Sequence, residues 1–379
     1  MSSPLRAIVA MAFLSGCAPS PPSHLEQITR AELDQRLDKA TASAPGVVFG
    51  AIWRDGTTVL TAAGEADLRT GRKMTPETPF AWFSVTKLFT ATAIMQLSER
   101  GLIDLDAPVG KYLPEIHLRR DGREATVREL LSHTSGMPNP IPITWVHLAN
   151  EPGPGLDGMI RQRVGTDPKL DSVPGTKIAY SNLGYLLLGK IVERVSGTPY
   201  ERYVTENVLT PLGCRTSGFA VPPDRATGYQ NKWSFTGLAV WMLDSRFFGG
   251  TVGGYLETRP FTVDGAPYGG LNGPVDCLLR FARMTLAQGE GANGRVLSAA
   301  SVQAMLTPSV MRDGRPGALV FGLAWRLDKI DGEPYADHEG GGGGYCSELR
   351  LYPRLGYAVA VIATETSFPT DGLVRLVVR

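Results

Sequence analysis

Ser84 and Lys87 offer the most direct chemistry in this sequence. Ser84 is the chain's single serine with a lysine three positions later, and at that spacing on a helix both side chains share one face. A serine hydroxyl becomes a good nucleophile when a neighbour takes its proton, which a desolvated lysine with a lowered pKa can do. The pair predicts a serine nucleophile with a lysine base, although such spacing arises by chance about once in a chain of this length.

A tyrosine close to a predicted helix start is the second candidate element. Tyr180, Ser181 and Asn182 open an apolar segment with helical spacing. A purely structural explanation is also open, because Ser181 or Asn182 would serve as the helix N-cap and Tyr180 as a core aromatic residue. Tyr229 and Asn231 form a competing pair with the same spacing. On the residues alone, the tyrosine is not decided between Tyr180 and Tyr229.

A run of five glycines is the third element. Gly340–Gly344 follow His338 and Glu339 and lead into a predicted strand. A backbone without side chains can approach a substrate or the nucleophile helix closely. No Gly-Lys-Ser/Thr follows the run, and the next element is a strand, which argues against a phosphate-binding loop and a dinucleotide-binding motif. A flexible hinge is the alternative.

Strands near both ends of the chain, with helices between them, predict the frame that positions these groups. An Asp-Gly turn at 55–56 joins two alternating segments at 47–53 and 57–62, which predicts a hairpin. Further strands are predicted at 321–327, 344–352 and 357–363, and helices at 84–100, 127–132, 182–196, 199–209 and 275–288. The pattern predicts an α+β fold, in which one antiparallel sheet from the N- and C-terminal segments is flanked by helices and carries an inserted, mainly helical subdomain at about residues 105–280.

The first residues are typical of an export signal. Arg6 precedes a short apolar run at 7–14, and Leu-Ser-Gly-Cys at 14–17 is similar to the lipobox of bacterial lipoproteins. We expect a signal peptide at 1–16, lipidation at Cys17, a linker at 17–24 and a hydrolase domain at 25–379. The alternative is a plain secretory signal. Either way, an exported, periplasmic protein that begins near Cys17 is expected, and with a lipobox Cys17 would be its attachment to a membrane.

Charge and cysteine content limit the classes of partner, metal and cofactor that we expect for this protein. The formal net charge is +1, from 38 basic and 37 acidic residues without long runs, so nothing favours nucleic acid or an anionic membrane. Cys214, Cys277 and Cys346 remain after Cys17, an odd number without Cys-x-x-Cys spacing. The spacing suggests neither a zinc site nor a disulfide framework. We expect a monomer that needs no metal or cofactor and acts on a small, neutral substrate.

Taken together, these elements are similar to those of the Ser-x-x-Lys enzymes. Family-like segments occur in the expected order at 112–115, 130–136, 180–184, 211–213, 269–271 and 321–325. The sequence resembles the serine β-lactamase and penicillin-binding-protein superfamily, in particular its branch of class C β-lactamases, family VIII esterases and D-aminopeptidases. The resemblance covers nearly the whole mature chain and implies a β-lactamase-like fold.

The resemblance also implies roles for individual residues. It selects Tyr180 over Tyr229, and it implies that His133 is structural rather than the base of a Ser-His triad. Ser84 would be acylated, Lys87 with Tyr180 would act as general base and then as general acid, and Asn182 would position the substrate. The N–H groups of Ser84 and Gly341, beside Gly340, would form the oxyanion hole. His338 would take the place that a lysine holds in a Lys-Thr-Gly motif.

The replacement of that lysine changes the expected substrate. His338 is largely neutral at pH 7 and Glu339 is anionic, so the strand lacks the fixed positive charge that binds the carboxylate of penicillins. We therefore expect ester hydrolysis, or hydrolysis of neutral amides and peptides. The alternatives are a D,D-carboxypeptidase, a D-aminopeptidase or a weak β-lactamase on peptidoglycan-type substrates, and a catalytically silent protein that binds cell-wall peptides.

Overall fold

An eight-stranded antiparallel sheet built from both ends of the chain forms the centre of the molecule. The computed structural model describes residues 24–142, 144–232, 244–309 and 320–378. The strands of this sheet are β1 (Gly46–Trp53), β2 (Thr58–Asp67), β3 (Arg72–Lys73), β4 (Val320–Phe321), β5 (Arg326–Ile330), β6 (Glu333–Gly342), β7 (Tyr345–Tyr352) and β8 (Tyr357–Ala363). Their spatial order is β4-β5-β6-β7-β8-β1-β2-β3, so β1 pairs with β8 and the two ends of the chain meet in the middle of the sheet.

Helices cover both faces of the sheet. Their bounds are α1 (Arg30–Ala40), α2 (Thr86–Glu99), α3 (Val127–Leu131), α4 (Gly155–Arg163), α5 (Asn182–Ser196), α6 (Tyr200–Val204), α7 (Thr210–Leu212), α8 (Ala266–Gly269), α9 (Val275–Leu286), α10 (Ala299–Met305) and α11 (Asp371–Val374). Side chains alternate along β1, so Val48 and Ile52 join the core on the α2 and α9 face, whereas Val47 and Phe49 join the core under α1 and α11. The result is a three-layer helix, sheet, helix arrangement, which confirms the predicted fold class.

The segment between α2 and α9 lies largely within the range expected for the inserted subdomain, about residues 105–280, whose bounds stay a prediction. It carries helices α3 to α8 together with short strands, among them Tyr229–Asn231, Phe248–Val252 and Tyr255–Thr258 in one small sheet. A second ribbon pairs Val146–Leu148 with Phe261–Val263. No helix among the described residues is long and apolar enough to cross a membrane. The signal peptide and Cys17 lie outside the described residues.

Three sequence-based expectations need correction. The predicted strand at 321–327 is broken, because Ala324 has a φ of 70° and its N–H bonds to the carbonyl of Leu131, so strand geometry resumes only at Arg326. Ser84 does not open α2 but lies in the 3₁₀ turn Phe83–Val85 that precedes it. His338 lies well inside β6 rather than at a strand entrance.

The cysteines also differ from expectation. Cys214 and Cys277 form a disulfide between positions separated by 63 residues, whereas their spacing suggested no disulfide framework. Cys346 is buried. The bridge ties the chain just after α7 to α9, which packs directly on the sheet at Gly50, where an added Cβ would lie 2.8 Å from Leu279 Cδ1.

Candidate active site

A strained turn presents Ser84. Phe83, the residue before it, has a φ of 47°, a backbone conformation that is unfavourable for an aromatic residue. Its ring packs 6.0 Å from that of Phe261 and 6.3 Å from that of Tyr345, between ring centroids. Surrounding contacts must hold such a conformation, since it costs on the order of 1–3 kcal/mol. The turn therefore fixes the position of the Ser84 hydroxyl rather than letting it follow the helix.

Lys87 makes three polar contacts, and together they match a neutral amine. Its Nζ lies 3.0 Å from Ser84 Oγ, 2.8 Å from Asn182 Oδ1 and 2.8 Å from the carbonyl oxygen of Tyr268. The last two atoms can only accept hydrogen bonds, whereas a hydroxyl can also donate. A neutral amine has two N–H groups for the two acceptors, which leaves its lone pair for the Ser84 hydroxyl. The arrangement is thus poised for proton transfer from Ser84 to Lys87.

The surroundings of Lys87 favour this neutral form. The side chain is fully buried, and this outweighs the attraction of an ammonium to the rings of Tyr180, Tyr185 and Tyr268, whose centroids lie 4.9 to 5.4 Å from Nζ. Burial away from water lowers the pKa of Lys87 well below its ordinary value, because desolvation disfavours the ammonium.

Tyr180 lies beside the Ser84 and Lys87 pair, with its ring centroid 4.9 Å from Lys87 Nζ. Burial raises the pKa of the phenol, and the neighbouring Ser84 hydroxyl offsets this only in part. The phenol therefore stays protonated at neutral pH and can donate a proton. Tyr229, the competing tyrosine, lies elsewhere, since its hydroxyl accepts from the backbone N–H of Leu68.

The start of α5 positions Asn182. Ser181 is the N-cap, with its hydroxyl accepting from Gly184 N and donating to the carbonyl of Pro138. The Asn182 backbone N–H donates to Asn139 Oδ1, and its side-chain oxygen accepts from Lys87. The NH₂ end of the Asn182 side chain is then the group left to interact with a substrate.

His338 faces the nucleophile as a neutral ring. It is 4% exposed, and its Nδ1 donates to the carbonyl of Glu339 at 2.8 Å, so the neutral tautomer leaves Nε2 as an acceptor. Burial, together with the nearby Lys87, lowers the pKa of His338 to about 3. The imidazole therefore supplies no positive charge at neutral pH.

Strand β6 lies against the nucleophile turn through Gly340. A Cβ added at Gly340 would lie 2.2 Å from the carbonyl oxygen of Trp82 and 3.0 Å from Ser84 N. Gly342 and Tyr345 are the last paired residues before the turn of the β6–β7 hairpin, and such a closing pair is hydrogen-bonded. Along an antiparallel pair of strands, hydrogen-bonded and non-hydrogen-bonded residue pairs alternate, so the next pair, Gly341 and Cys346, is not hydrogen-bonded. Gly341 accordingly directs its N–H away from β7, towards an edge that β5 stops covering after Asp337.

An ion-pair network lies on the opposite face of β6. Arg326 binds Asp337 and Glu339, and Arg350 binds Glu348 at 2.7 Å. The three carboxylates lie close enough to suggest a metal site, but the two guanidinium groups already satisfy their oxygens. Burial raises the pKa of Glu339 to about 7 against the opposing effect of Arg326. The Glu339 side chain thus points away from Ser84 and is largely neutralised.

Comparison with known proteins agrees with this geometry. Residues 32–377 match the Beta-lactamase family. This chain belongs to the beta-lactamase family. It is 31% identical over 350 residues to penicillin-binding protein 4 of Amycolatopsis lactamdurans, an alignment covering 86% of this chain and 83% of that protein.

Solved structures give the same family relationship. The octameric penicillin-binding protein homologue from Pyrococcus abyssi superposes with a TM-score of 0.76 and 28% identity, over 92% of this chain and 76% of that one. A D-stereospecific amidohydrolase from Streptomyces sp. superposes with a TM-score of 0.69 and 25% identity, over 90% and 95% of the two chains. The fold is thus a beta-lactamase-like hydrolase fold, as the sequence resemblance implied.

The family site brings together most of the residues that the sequence singled out. Hydrogen bonds join Ser84, Lys87 and Asn182, the Tyr180 ring lies 4.9 Å from Lys87 Nζ, and the His338–Gly341 segment lies against Ser84. Sequence reasoning missed the carbonyl oxygen of Tyr268, because a backbone acceptor has no side-chain signature. It also missed the contacts of His133, whose ring packs against Tyr180.

Proposed function

We propose that this protein is a serine hydrolase that forms an acyl-enzyme at Ser84. The observation that carries the proposal is the position of the fully buried Lys87 Nζ, 3.0 Å from Ser84 Oγ and 2.8 Å from the acceptor oxygens of Asn182 and Tyr268. A neutral amine at this position can donate to the two acceptors and take the proton of Ser84. A binding protein would have no need for a dry, neutral lysine beside a serine hydroxyl, and keeping a lysine uncharged costs folding free energy. This argues against a catalytically silent relative.

The proposed reaction starts with proton transfer from Ser84 to Lys87. Ser84 Oγ attacks the substrate carbonyl carbon, and the oxygen of the tetrahedral intermediate accepts from the N–H groups of Ser84 and Gly341. Tyr180 donates its proton to the leaving alcohol or amine as the bond of that group to the acyl carbon breaks, and Tyr180 receives in return the proton that Lys87 took from Ser84. Water then attacks the acyl-enzyme with Lys87 and Tyr180 again as the proton carriers, which releases the acid and restores Ser84.

The proposed substrates are small, neutral esters or amides. His338 faces Ser84 where a cation would bind a carboxylate, and its lowered pKa keeps it uncharged. Efficient hydrolysis of anionic β-lactams is therefore not expected. Hydrolysis of D-amino-acid amides or of peptidoglycan-type peptides is the second candidate, favoured by the similarity to a D-stereospecific amidohydrolase and to a penicillin-binding protein.

We further propose that the protein is exported, cleaved before Cys17 and held at a membrane by lipid on that cysteine, and that its catalytic domain is monomeric. The disulfide between Cys214 and Cys277 supports export, because disulfides persist in oxidising compartments. Mass spectrometry of the mature N-terminus tests the cleavage and the lipid. Sedimentation of the domain without its leader tests the monomer.

Hydrolysis of p-nitrophenyl acetate and butyrate, measured beside a chromogenic cephalosporin, tests the proposed activity. Wild type should turn over the esters, and Ser84→Ala should reduce kcat by at least about a thousandfold. Ser98→Ala, near the end of α2 and remote from the site, is the matched control and should behave as wild type. A D-alanyl peptide and a D-amino-acid amide test the second candidate. Equal inactivity of wild type and Ser84→Ala towards all of these substrates would contradict the proposal.

A further inference from the structure

His133 encloses Tyr180 on three sides. Its carbonyl oxygen accepts from the N–H of Ala179 at 2.7 Å, and its ring Nδ1 accepts from the N–H of Ser181 at 3.2 Å. Its ring also packs against the phenol ring, with 4.3 Å between centroids and 33° between planes. One residue therefore contacts the backbone before Tyr180, the backbone after it and the side chain itself.

This arrangement is kept at two costs to stability. His133 has a φ of 59°, a left-handed conformation that is uncommon for residues other than glycine. Because Nδ1 accepts a hydrogen bond, the proton of the neutral ring is on Nε2, and that buried N–H finds no partner among the described residues. An unpaired buried donor costs about 1–3 kcal/mol. A glycine or asparagine would fit the turn better, so the backbone alone does not explain this imidazole.

His133 does not itself act as a base. Its Nδ1 lone pair is engaged with the N–H of Ser181, and Nε2 already carries the ring proton. Burial, together with the nearby Lys87 and His338, lowers the pKa of His133 well below its ordinary value. The ring therefore stays neutral and keeps its acceptor across the pH range in which esters are assayed.

We propose that His133 is a positioning residue that holds the Tyr180 hydroxyl in line with Ser84. The inference rests on the role proposed for Tyr180 in proton transfer. The ring restricts rotation of the phenol about its own bonds, and the two backbone hydrogen bonds restrict the segment that carries it. Since a misplacement of about 1 Å can cost about a hundredfold in rate, loss of this enclosure should lower kcat with little effect on KM.

Two substitutions separate the contacts of His133. His133→Asn tolerates the left-handed backbone and puts an acceptor oxygen near the place of Nδ1, but it removes the ring. His133→Phe keeps a ring against Tyr180 but leaves the N–H of Ser181 without its acceptor. His147→Asn is the control, because His147 is a partly buried histidine outside these contacts and its Nδ1 contacts Asp264 instead. Thermal unfolding verifies that each variant is folded.

The deciding experiment is a double-mutant cycle with Tyr180→Phe, followed by ester hydrolysis. We expect His133→Asn to lower kcat by about tenfold or more in the wild-type background and to have almost no further effect beside Tyr180→Phe. Equal loss in both backgrounds, wild-type kcat in both His133 variants, or failure of both to fold would overturn the inference and leave His133 a structural role. Full activity of Tyr180→Phe alone would instead contradict the role proposed for Tyr180.

Discussion

Gly340→Ala probes the close contact between strand β6 and the nucleophile turn. The added Cβ would lie 2.2 Å from Trp82 O, 2.6 Å from Ser347 Oγ and 3.0 Å from Ser84 N. The first of these is a backbone oxygen that already accepts from the Ser347 hydroxyl at 2.9 Å and from Val85 N at 3.3 Å. No side-chain rotation relieves such a contact, so the strand and the turn must move apart.

The expected loss follows from the size of that movement. An ordinary contact needs about 3.4 Å, so a Cβ at 2.2 Å requires a separation of about 1 Å between β6 and the turn. A displacement of about 1 Å at the reacting atoms costs about a hundredfold in rate, and overpacking of this kind destabilises by about 1–3 kcal/mol. Gly340→Ala should therefore lower kcat/KM for p-nitrophenyl butyrate about a hundredfold and lower the melting temperature by several degrees.

The assay pairs ester hydrolysis with thermal unfolding and uses Gly372→Ala as the control. An added Cβ at Gly372 meets no atom within 4 Å, so this variant should match wild type in both measurements. Wild-type values of both kcat/KM and the melting temperature in Gly340→Ala would refute the close contact. A lower melting temperature with unchanged kcat/KM would show that the contact matters for folding but not for the position of Ser84.

Other parts of the site and fold can be tested in the same way. Lys87 must be neutral to accept a proton, and burial lowers its pKa, so kcat/KM for a neutral ester should rise with pH, with the midpoint of the rise well below the pKa of an ordinary lysine. Lys87→Arg should be inactive at every pH. Glu339 has a pKa of about 7 and is negative above it, so the inhibition constant of an anionic cephalosporin should be about twofold lower at pH 6 than at pH 8, and Glu339→Gln should remove this difference. Cys277→Ser opens a bridge between positions separated by 63 residues and should lower the free energy of unfolding in urea by about 2–4 kcal/mol, with kcat unchanged.

Each of these expectations has a contradicting result. A rate limb centred near the pKa of free lysine would contradict a buried, neutral Lys87. Persistence of the pH difference in Glu339→Gln would assign it to another group. Equal stability of Cys277→Ser and wild type in urea, at equal denaturant dependence, would contradict a disulfide in the folded protein.

Local patterns in the sequence predicted the elements whose causes are local. The hairpin of β1 and β2 follows from alternation around an Asp-Gly turn, and the α5 helix follows from its N-cap Ser181 and its terminal Gly197, which has a φ of 68°. The Ser84 and Lys87 pair could be found because the two residues are only three positions apart, so that their proximity depends on local structure alone.

The elements that the sequence did not predict depend on distant backbone contacts. The apolar run at 321–327 has strand composition, but a Cβ at Gly322 would lie 2.1 Å from the carbonyl oxygen of Met305, and Ala324 bonds to Leu131. Cys214 and Cys277 meet only after the intervening chain has folded. The contact between the carbonyl oxygen of Tyr268 and Lys87 also depends on the folded chain, because neither the residue type nor its position in the sequence indicates a backbone acceptor.

The order of strands in the central sheet affects how the chain folds as it is synthesised. β1 needs β8 as its neighbour, and Gly46 N, at the start of β1, bonds to Thr364 Oγ1, which is 318 positions later. At about 5–20 residues per second, a ribosome takes about 15–60 s to supply that partner. Until then, the N-terminal hairpin exposes an unpaired and strongly apolar edge, which other chains can bind. Native pairing is therefore among the last steps of folding, and the nascent chain has a long interval in which chaperones or export factors can reach it before it becomes rigid.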